Sequence, residues 1–287
     1  MSERLAVIGL GRMGAALAAK ASAEGWAVTG WTRSAGDASV ASEAGYDLAG
    51  TLVEAVAAAD IAFLSLYDDA AVIDILGQLA AMDLSGKMIV DTSTVAPSVS
   101  RDAEGSIIAA GGRLLDAPIS GGPEMVIAGS MGLFIGGADE DVARLMPVIQ
   151  TLSDRIVHVG ALGDGEAMKV VNNMAIAGSM GAYIDAVRVG VRTGLDFEAM
   201  LNVLERSPAS NPMLRDRLPI VRGDEDRVGF SVDAALTDGA LFTAIARSVG
   251  VEPVALGRFL AESFDVSKAG DGGKDVAVTL SRLKNEA

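Results

Sequence analysis

The 287-residue chain contains no cysteine and a single histidine, His158. The first absence excludes disulfides, thiolate nucleophiles and zinc–thiolate centres. The second excludes metal sites built from several imidazoles. Positive charge is scarce: 23 Lys and Arg stand against 38 Asp and Glu, for a formal net charge of −15. A surface of that sign does not grip a polyanion along its length, although a local basic pocket for one phosphate remains open to it. Aromatic residues make up 4% of the chain, and Trp26, Trp31 and Tyr67 are too scattered to form a base-stacking platform. The longest apolar runs, such as IAFLSL, fall far short of the ~20 residues of a membrane span. No basic, apolar and small-residue signal pattern precedes the first expected strand. The expectation is an acidic, cytoplasmic globular protein that engages neither membrane nor nucleic acid.

Half of the residues are hydrophobic, enough for a substantial core. The first half alternates β-like runs with alanine-rich helical stretches. Strands are expected at Leu5–Ile8, Ala27–Trp31, Ile61–Leu66, Met88–Asp91, Arg113–Asp116, Gly132–Ile135 and Ile156–Val159. Helices are expected at Gly14–Ala23, Thr51–Ala59 and Ala70–Leu79. Such alternation reads as βαβ units on a parallel sheet. The pattern changes after Gly160-Ala161-Leu162-Gly163. Residues 164–193 hold no proline and end at Gly194, which predicts one helix of roughly 45 Å. A helix of that length is too large for a sheet crossover and reads as the spine between two domains. Residues 196–287 read as helices joined by short loops (SPASNP, RGDED, KAGDGG).

Gly9-Leu10-Gly11-Arg12-Met13-Gly14 follows an apolar strand and opens a helix. In that context the first glycine makes a tight turn, the second admits a pyrophosphate close to the backbone, and the third lets helix and strand pack. The helix N-terminus then offers N–H groups to the phosphates. The end of the second strand discriminates between dinucleotides. An acid there accepts from the ribose hydroxyls of NAD; this chain has Trp31-Thr32-Arg33-Ser34. Arg33 suits a 2′-phosphate and stacks on adenine, with Thr32 and Ser34 as hydrogen-bond donors, so NADP is favoured over NAD.

Three further stretches carry chemistry. Asp91-Thr92-Ser93-Thr94-Val95-Ala96-Pro97 puts hydroxyls at a strand's carboxyl end, where open α/β sheets bind ligands, although an ordinary helix cap has the same look. Asp116-Ala117-Pro118-Ile119-Ser120-Gly121-Gly122 bares backbone N–H groups that suit a carboxylate. In Gly163-Asp164-Gly165-Glu166-Ala167-Met168-Lys169-Val170-Val171-Asn172-Asn173, Lys169 and Asn173 share a helix face. Apolar neighbours leave two readings of Lys169: a side chain that snorkels to water, or a buried amine able to give and take a proton.

GLGRMG, DTSTVAP, DAPISGG and the Lys169–Asn173 segment, in this order and spacing, resemble the β-hydroxyacid dehydrogenase family, which includes 3-hydroxyisobutyrate dehydrogenase and tartronate semialdehyde reductase. The likeness covers nearly the whole chain, through Ser179-Met180, Asp185-Ala186 and the glycine-rich segment before Asp275. It implies an α/β Rossmann dinucleotide-binding domain (1–163) and an all-α domain (164–287) joined by the long helix, with the site in the cleft between them. It implies that Lys169 is the catalytic acid/base, that Ser120, Gly121 and Gly122 hold a substrate carboxylate, and that Asn173 lies beside it. Ser93 and Thr94 would lie near the nicotinamide, and Leu66 and Tyr67, at the end of IAFLSLY, at the cofactor edge with Gly9–Gly14. NADPH would deliver hydride to an aldehyde carbon while Lys169 protonates the developing alkoxide, and the alcohol would be oxidised by the reverse steps. No metal is implied. Dimers or tetramers formed through the helical half are expected, with Ala240–Val249 and the long helix as the surface.

Two departures stand out. Thr237-Asp238 occupies the place of the family's usual Lys-Asp, and Pro123-Glu124-Met125-Val126 replaces a small, glycine-rich loop. Both point to a substrate larger or less anionic than the common C3–C4 acids. An imine reductase of related architecture is an alternative, disfavoured by Lys169 and DAPISGG. A non-catalytic dinucleotide-binding protein is another, disfavoured by Lys169 and Asn173 and favoured mildly by Thr237. His158 reads as structural, and Asp68 and Asp69 as a helix cap and first turn.

Overall fold

The computed structural model describes residues 3–34 and 38–286. The first half runs β1 (Arg4–Ile8), α1 (Arg12–Ala23), β2 (Ala27–Trp31), α2 (Ala38–Glu43), β3 (Asp47–Leu48), α3 (Leu52–Ala57), β4 (Ile61–Leu64), α4 (Asp69–Ala80), β5 (Met88–Asp91), α5 (Pro97–Ala109), β6 (Arg113–Asp116), β7 (Ile119–Ser120), α6 (Pro123–Ile127), β8 (Gly132–Gly136), α7 (Asp139–Leu152) and β9 (Arg155–Gly160). The second half runs α8 (Asp164–Arg192), α9 (Phe197–Arg206), α10 (Pro212–Arg222), α11 (Val232–Ser248), α12 (Val254–Val266) and α13 (Val278–Ser281). The chain forms two compact units, Met1–Lys169 and Val170–Ala287, so the division falls inside α8.

In the first unit the strands form one sheet in the order β3-β2-β1-β4-β5-β6-β8-β7, with β9 beside β8. The strands from β3 to β6 are all parallel. The alternation along β1 shows why. Leu5 and Val7 pack on one side of the sheet with Ala16, Leu17 and Ala21 of α1, while Ala6 and Ile8 pack on the other with Leu52 of α3 and Val72 and Leu76 of α4. A sheet buried on both faces needs strands with near-continuous apolar runs, and LAVI of β1, IAFL of β4 and MIV of β5 are such runs. β4 is shorter than the sequence suggests. Ser65 still donates its N–H to the Ile8 carbonyl (2.9 Å), but the chain then leaves the sheet toward α4. Pro123–Val126, expected as a loop, is helical in α6: Gly122 is its N-cap, Pro123 stands at its first position, and Val126 enters the core.

In the second unit α8 contributes Met180, Tyr183, Ile184, Val187 and Val191, a stripe at helical spacing that packs against Phe197, Leu201, Leu214, Leu218 and Phe259. Asn211 caps α10 by accepting from the Leu214 N–H (2.8 Å), and Gly223, at φ 88°, ends it. KAGDGG is more structured than a simple loop: Ser267–Asp271 continues α12 as a wider turn until Gly270 breaks it. Buried Asp275 accepts from the N–H groups of Gly229 (3.0 Å), Phe230 (3.1 Å) and Ala277 (3.0 Å) and pairs with Arg217 Nε at 3.0 Å. Its role is to latch the C-terminal segment. Phe242 and Ala246, within the stretch expected to meet another subunit, are buried in this unit's own interior. No helix among the described residues is long and apolar enough to cross a membrane.

Candidate active site

One row of residues crosses the sheet in register: Trp31 beside Ile8, Ile8 beside Leu64, Leu64 beside Asp91, and Asp91 beside Asp116. All five end their strands at the same edge. Gly9, Thr32, Ser65 and Leu66, Thr92 and Ser93, and Ala117 therefore emerge together at the carboxyl end of the sheet. The strand order reverses between β1 and β4, and open α/β sheets bind ligands at that point.

Gly9 turns the chain at φ +97° and donates its N–H to the Trp31 carbonyl at 2.8 Å. A Cβ on Gly9 would overlap the Ser65 carbonyl oxygen, and one on Gly14 would overlap that of Gly9, so both positions exclude a side chain. Gly11 differs, because a Cβ there would meet nothing within 4 Å. Gly11 is also the N-cap of α1, where no side chain caps the helix and no acid lies in the first turn. The first-turn amides thus keep the donor capacity and dipole that a phosphate uses. Leu10 reaches the backbone of Gly30 in β2, where a Cβ would sit 3.0 Å from its Cδ1, and Met13 packs on the core. Arg12 is exposed at the start of α1, Arg33 and Ser34 are exposed beyond β2, and Thr32 is half-buried.

Leu66 and Ser93 are joined directly, the Leu66 N–H donating to Ser93 Oγ at 3.0 Å. The Ser93 N–H donates in turn to Asp91 Oδ1 at 2.9 Å. Ser93 is buried and ties β4 to β5, Thr94 is half-buried, and Tyr67 is 71% exposed. Asp68 caps α4 through the Ala71 N–H (2.8 Å), and Asp69 accepts from the Ala96 N–H (3.2 Å). Both acids belong to local helix and loop architecture.

Half-buried Ser120 ends β7, whose partner is β8. Gly121 takes φ +134°, and a Cβ there would crowd Met125 Sδ at 2.9 Å. Lys169 does not snorkel to water. It is 7% exposed, and its Nζ donates to the Ile119 carbonyl at 2.6 Å, one residue before Ser120. Asn173 lies four residues further along α8, in the second unit, and its Oδ1 accepts from Asn172 at 3.0 Å.

Asp91, Asp116 and Glu166 went unrecognised as functional candidates in the sequence. All three are essentially buried. Burial pushes the Asp91 carboxyl up to about 6, against the hydrogen bonds from Ser93, which lower it. Burial, together with the neighbouring charges of Asp91 and Asp116, pushes Glu166 up to about 9, so it carries its proton at neutral pH. Glu166 Oε1 shares a 2.6 Å hydrogen bond with Ser100 Oγ, while Glu166 Oε2 and Asp91 Oδ2 have no partner among the described residues. The sequence did hold a signal. MIVD and RLLD each follow a buried apolar run with an acid, and an acid buried in such a strand needs donors of its own.

His158 Nε2 lies 3.0 Å from the carbonyls of both Gly137 and Gly160, which only accept, so this nitrogen carries the proton and fastens β9. A cavity of about 550 Å³ lined by Glu104, Arg113, Glu140 and His158 contains none of the candidate site residues. No cluster of three or more His, Cys, Asp or Glu suited to a metal occurs among the described residues.

Residues 4–160 match the family described as the NAD binding domain of 6-phosphogluconate dehydrogenase, and residues 163–283 match that described as NAD-binding of NADP-dependent 3-hydroxyisobutyrate dehydrogenase. The chain belongs to the β-hydroxyacid dehydrogenase family. A probable 3-hydroxyisobutyrate dehydrogenase of Mycobacterium bovis is 26% identical to this family member over 291 residues, covering 99% of this chain and 98% of its own. The 2-(hydroxymethyl)glutarate dehydrogenase of Eubacterium barkeri is 27% identical over 285 residues, covering 97% and 94%. The solved 3-hydroxyisobutyrate dehydrogenase of Mycobacterium tuberculosis with L-serine superposes with a TM-score of 0.89 at 25% identity, covering 99% of this chain and all of that one. This hydroxyacid dehydrogenase therefore uses a nicotinamide cofactor and acts on a small molecule.

Proposed function

We propose that the protein is an NADP-dependent oxidoreductase that interconverts a β-hydroxyacid and its semialdehyde, with Lys169 as the acid/base. The observation that carries this reading is the buried Lys169, its Nζ 2.6 Å from the Ile119 carbonyl beside Ser120 and Gly121. A single buried amine next to a turn rich in backbone donors suits one proton transfer to an oxygen held by that turn. Functionally we divide the chain at 163/164, at the start of the second matched family.

The residues fit a dinucleotide. Gly9–Gly14 and the uncapped start of α1 would hold the pyrophosphate, with Leu66, Tyr67, Ser93 and Thr94 bordering the nicotinamide half. Thr32, Arg33 and Ser34 support NADP, since Trp31–Ser34 holds no acid to meet a ribose 2′-hydroxyl. Bound nicotinamide supplies the hydride or accepts it. The protein's part is to orient the substrate carboxylate with Ser120, Gly121 and Gly122 and to handle the proton. In reduction the Lys169 ammonium protonates the developing alkoxide; in oxidation the neutral amine takes the hydroxyl proton. The Ile119 carbonyl, accepting from Nζ, keeps the amine aimed in both directions. Asn173 would steady the substrate oxygen.

The mechanism needs no cation at Thr237, whose hydroxyl donates to the Asp233 carbonyl at 3.1 Å. With helix α6 in place of a small loop, a bulkier or less anionic acid than 3-hydroxyisobutyrate is the favoured substrate. The test is steady-state oxidation of 3-hydroxyisobutyrate, 2-(hydroxymethyl)glutarate and L-serine with NADP+ and NAD+, beside reduction of cyclic imines with NADPH. Turnover of a hydroxyacid with NADP+ preferred supports the reading. Turnover confined to imines contradicts it.

A further inference from the structure

Lys169 owes its place to the turn that precedes it. Residues 162–166 are held from two sides, both within the first unit. From inside, the Asp116 carboxylate accepts the Gly163 N–H at Oδ1 and the Glu166 N–H at Oδ2, each at 2.7 Å. From outside, Arg101 donates through Nε to the Leu162 carbonyl (3.0 Å) and through Nη2 to Asp164 Oδ1 (2.9 Å). The surrounding glycines are cut to this clamp. A Cβ on Gly136 would overlap Asp116 Oδ1, one on Gly165 would lie 2.7 Å from Oδ2, and one on Gly163 would lie 2.6 Å from Arg101 Nε.

The clamp closes a ring. Asp116 leads in three residues to Ile119, the carbonyl that Lys169 Nζ contacts, and Glu166 leads in three residues to Lys169 itself. Both arms of the ring start at the Asp116–Glu166 hydrogen bond and meet again at the amine. Moving the start of α8 by an ångström moves Nζ against Ile119 and Ser120 by a similar amount.

We propose that Asp116, with Arg101 behind the same turn, is the positioning residue that sets where the Lys169 amine stands relative to the Ser120–Gly122 turn. The inference rests on the reading of Lys169 as the acid/base. Asp116 does not meet substrate. It acts through two backbone N–H groups, satisfying donors that the start of α8 leaves open. A carboxylate accepts at both oxygens, and an amide of the same shape does not.

The test compares wild type, Asp116→Asn, Arg101→Ala and Lys169→Ala. The assay oxidises 3-hydroxyisobutyrate with NADP+, or 2-(hydroxymethyl)glutarate or L-serine where either turns over faster. In D116N the amide nitrogen faces one of the two N–H groups donor to donor, so the turn relaxes. The expected result is a loss of kcat of about tenfold to a hundredfold, the scale of a 1 Å misplacement. KM and the Kd for NADPH stay within about threefold, measured well below the variant's Tm. R101A, which loses only the half-exposed side of the clamp, is expected to fold and to lose kcat by about threefold to tenfold. A folded D116N with wild-type kcat, or with its whole defect in KM, overturns the inference. Should D116N not fold, R101A decides, and an unchanged kcat there overturns it. K169A separates the two layers. If K169A turns over at the wild-type rate, the acid/base reading fails and this inference fails with it. If K169A is inactive while D116N keeps wild-type kcat, the positioning inference alone fails.

Discussion

Lys169 and Arg33 are the two cations to which the proposed function assigns roles, and they stand in opposite surroundings. Lys169 is buried and aimed at a backbone carbonyl, and Arg33 is exposed at the end of β2. An exposed guanidinium is a ligand group only if it pays off in discrimination between cofactors. Replacing Arg33 with Ala is expected to lower the preference for NADPH over NADH, measured as the ratio of kcat/KM values, by about tenfold or more, the worth of a hydrogen bond to a charged phosphate. An unchanged ratio contradicts the NADP assignment. At this scale the sequence was informative where a residue's type and its neighbours agreed. Gly9, Gly14 and the Asp68 cap were legible because each occupies a local geometry that few residues tolerate. Ser93 was legible as a strand-end hydroxyl, but its partner Leu66 lies 27 residues away and no local pattern announces it. Glu166 was hidden for the same reason: its partner is Ser100 and its charged neighbours are Asp91 and Asp116, all brought in by the fold.

Elements inherit these residue-scale constraints. α1 sits on the sheet through Gly14, Ala18 and Ala21, small enough for the helix to lie close to β1. Gly14→Ala would force the new methyl into the Gly9 carbonyl. We expect it to cost about 1–3 kcal/mol of stability and to weaken NADPH binding at the same time. Thermal unfolding and a cofactor titration check this, and a variant with wild-type Tm and Kd contradicts the packing described. The long α8 was legible because 29 residues of uninterrupted helix leave a clear trace, with a Gly before and a Gly after. α6 was not, because a five-residue helix opened by proline has the composition of a loop. The two-residue β3 and β7 were unread for a similar reason, since pairing across the sheet makes them strands and their own sequence does not.

For the whole molecule the excess of acids matters most where they are buried. The carboxyl of Glu166 is raised from 4.5 to about 9 in the fold. Between those values the folded state holds a proton that the unfolded chain releases, so stability is fully present below about pH 4.5 and is lost as pH rises through about 9. Asp91, raised to about 6, adds a smaller loss in the same direction at lower pH. Glu166→Gln keeps the neutral form at every pH. We expect it to match wild type near pH 5 and to exceed it at pH 9 by a few kcal/mol in denaturant unfolding. Parallel pH profiles for the two proteins contradict a proton held on Glu166. The change from strand–helix alternation to helices alone was legible after Gly163, whereas the division into compact units falls later, after Lys169 within α8. The register that lines up Ile8, Trp31, Leu64, Asp91 and Asp116 was not, because it is a property of five strands together. The most direct test of the account is the rate of hydroxyacid oxidation with NADP+ in wild type and in Lys169→Ala, with NADPH binding measured in both. The account predicts a loss of about a hundredfold to ten-thousandfold in kcat with cofactor binding intact. A variant that turns over at the wild-type rate would place the proton transfer on another group.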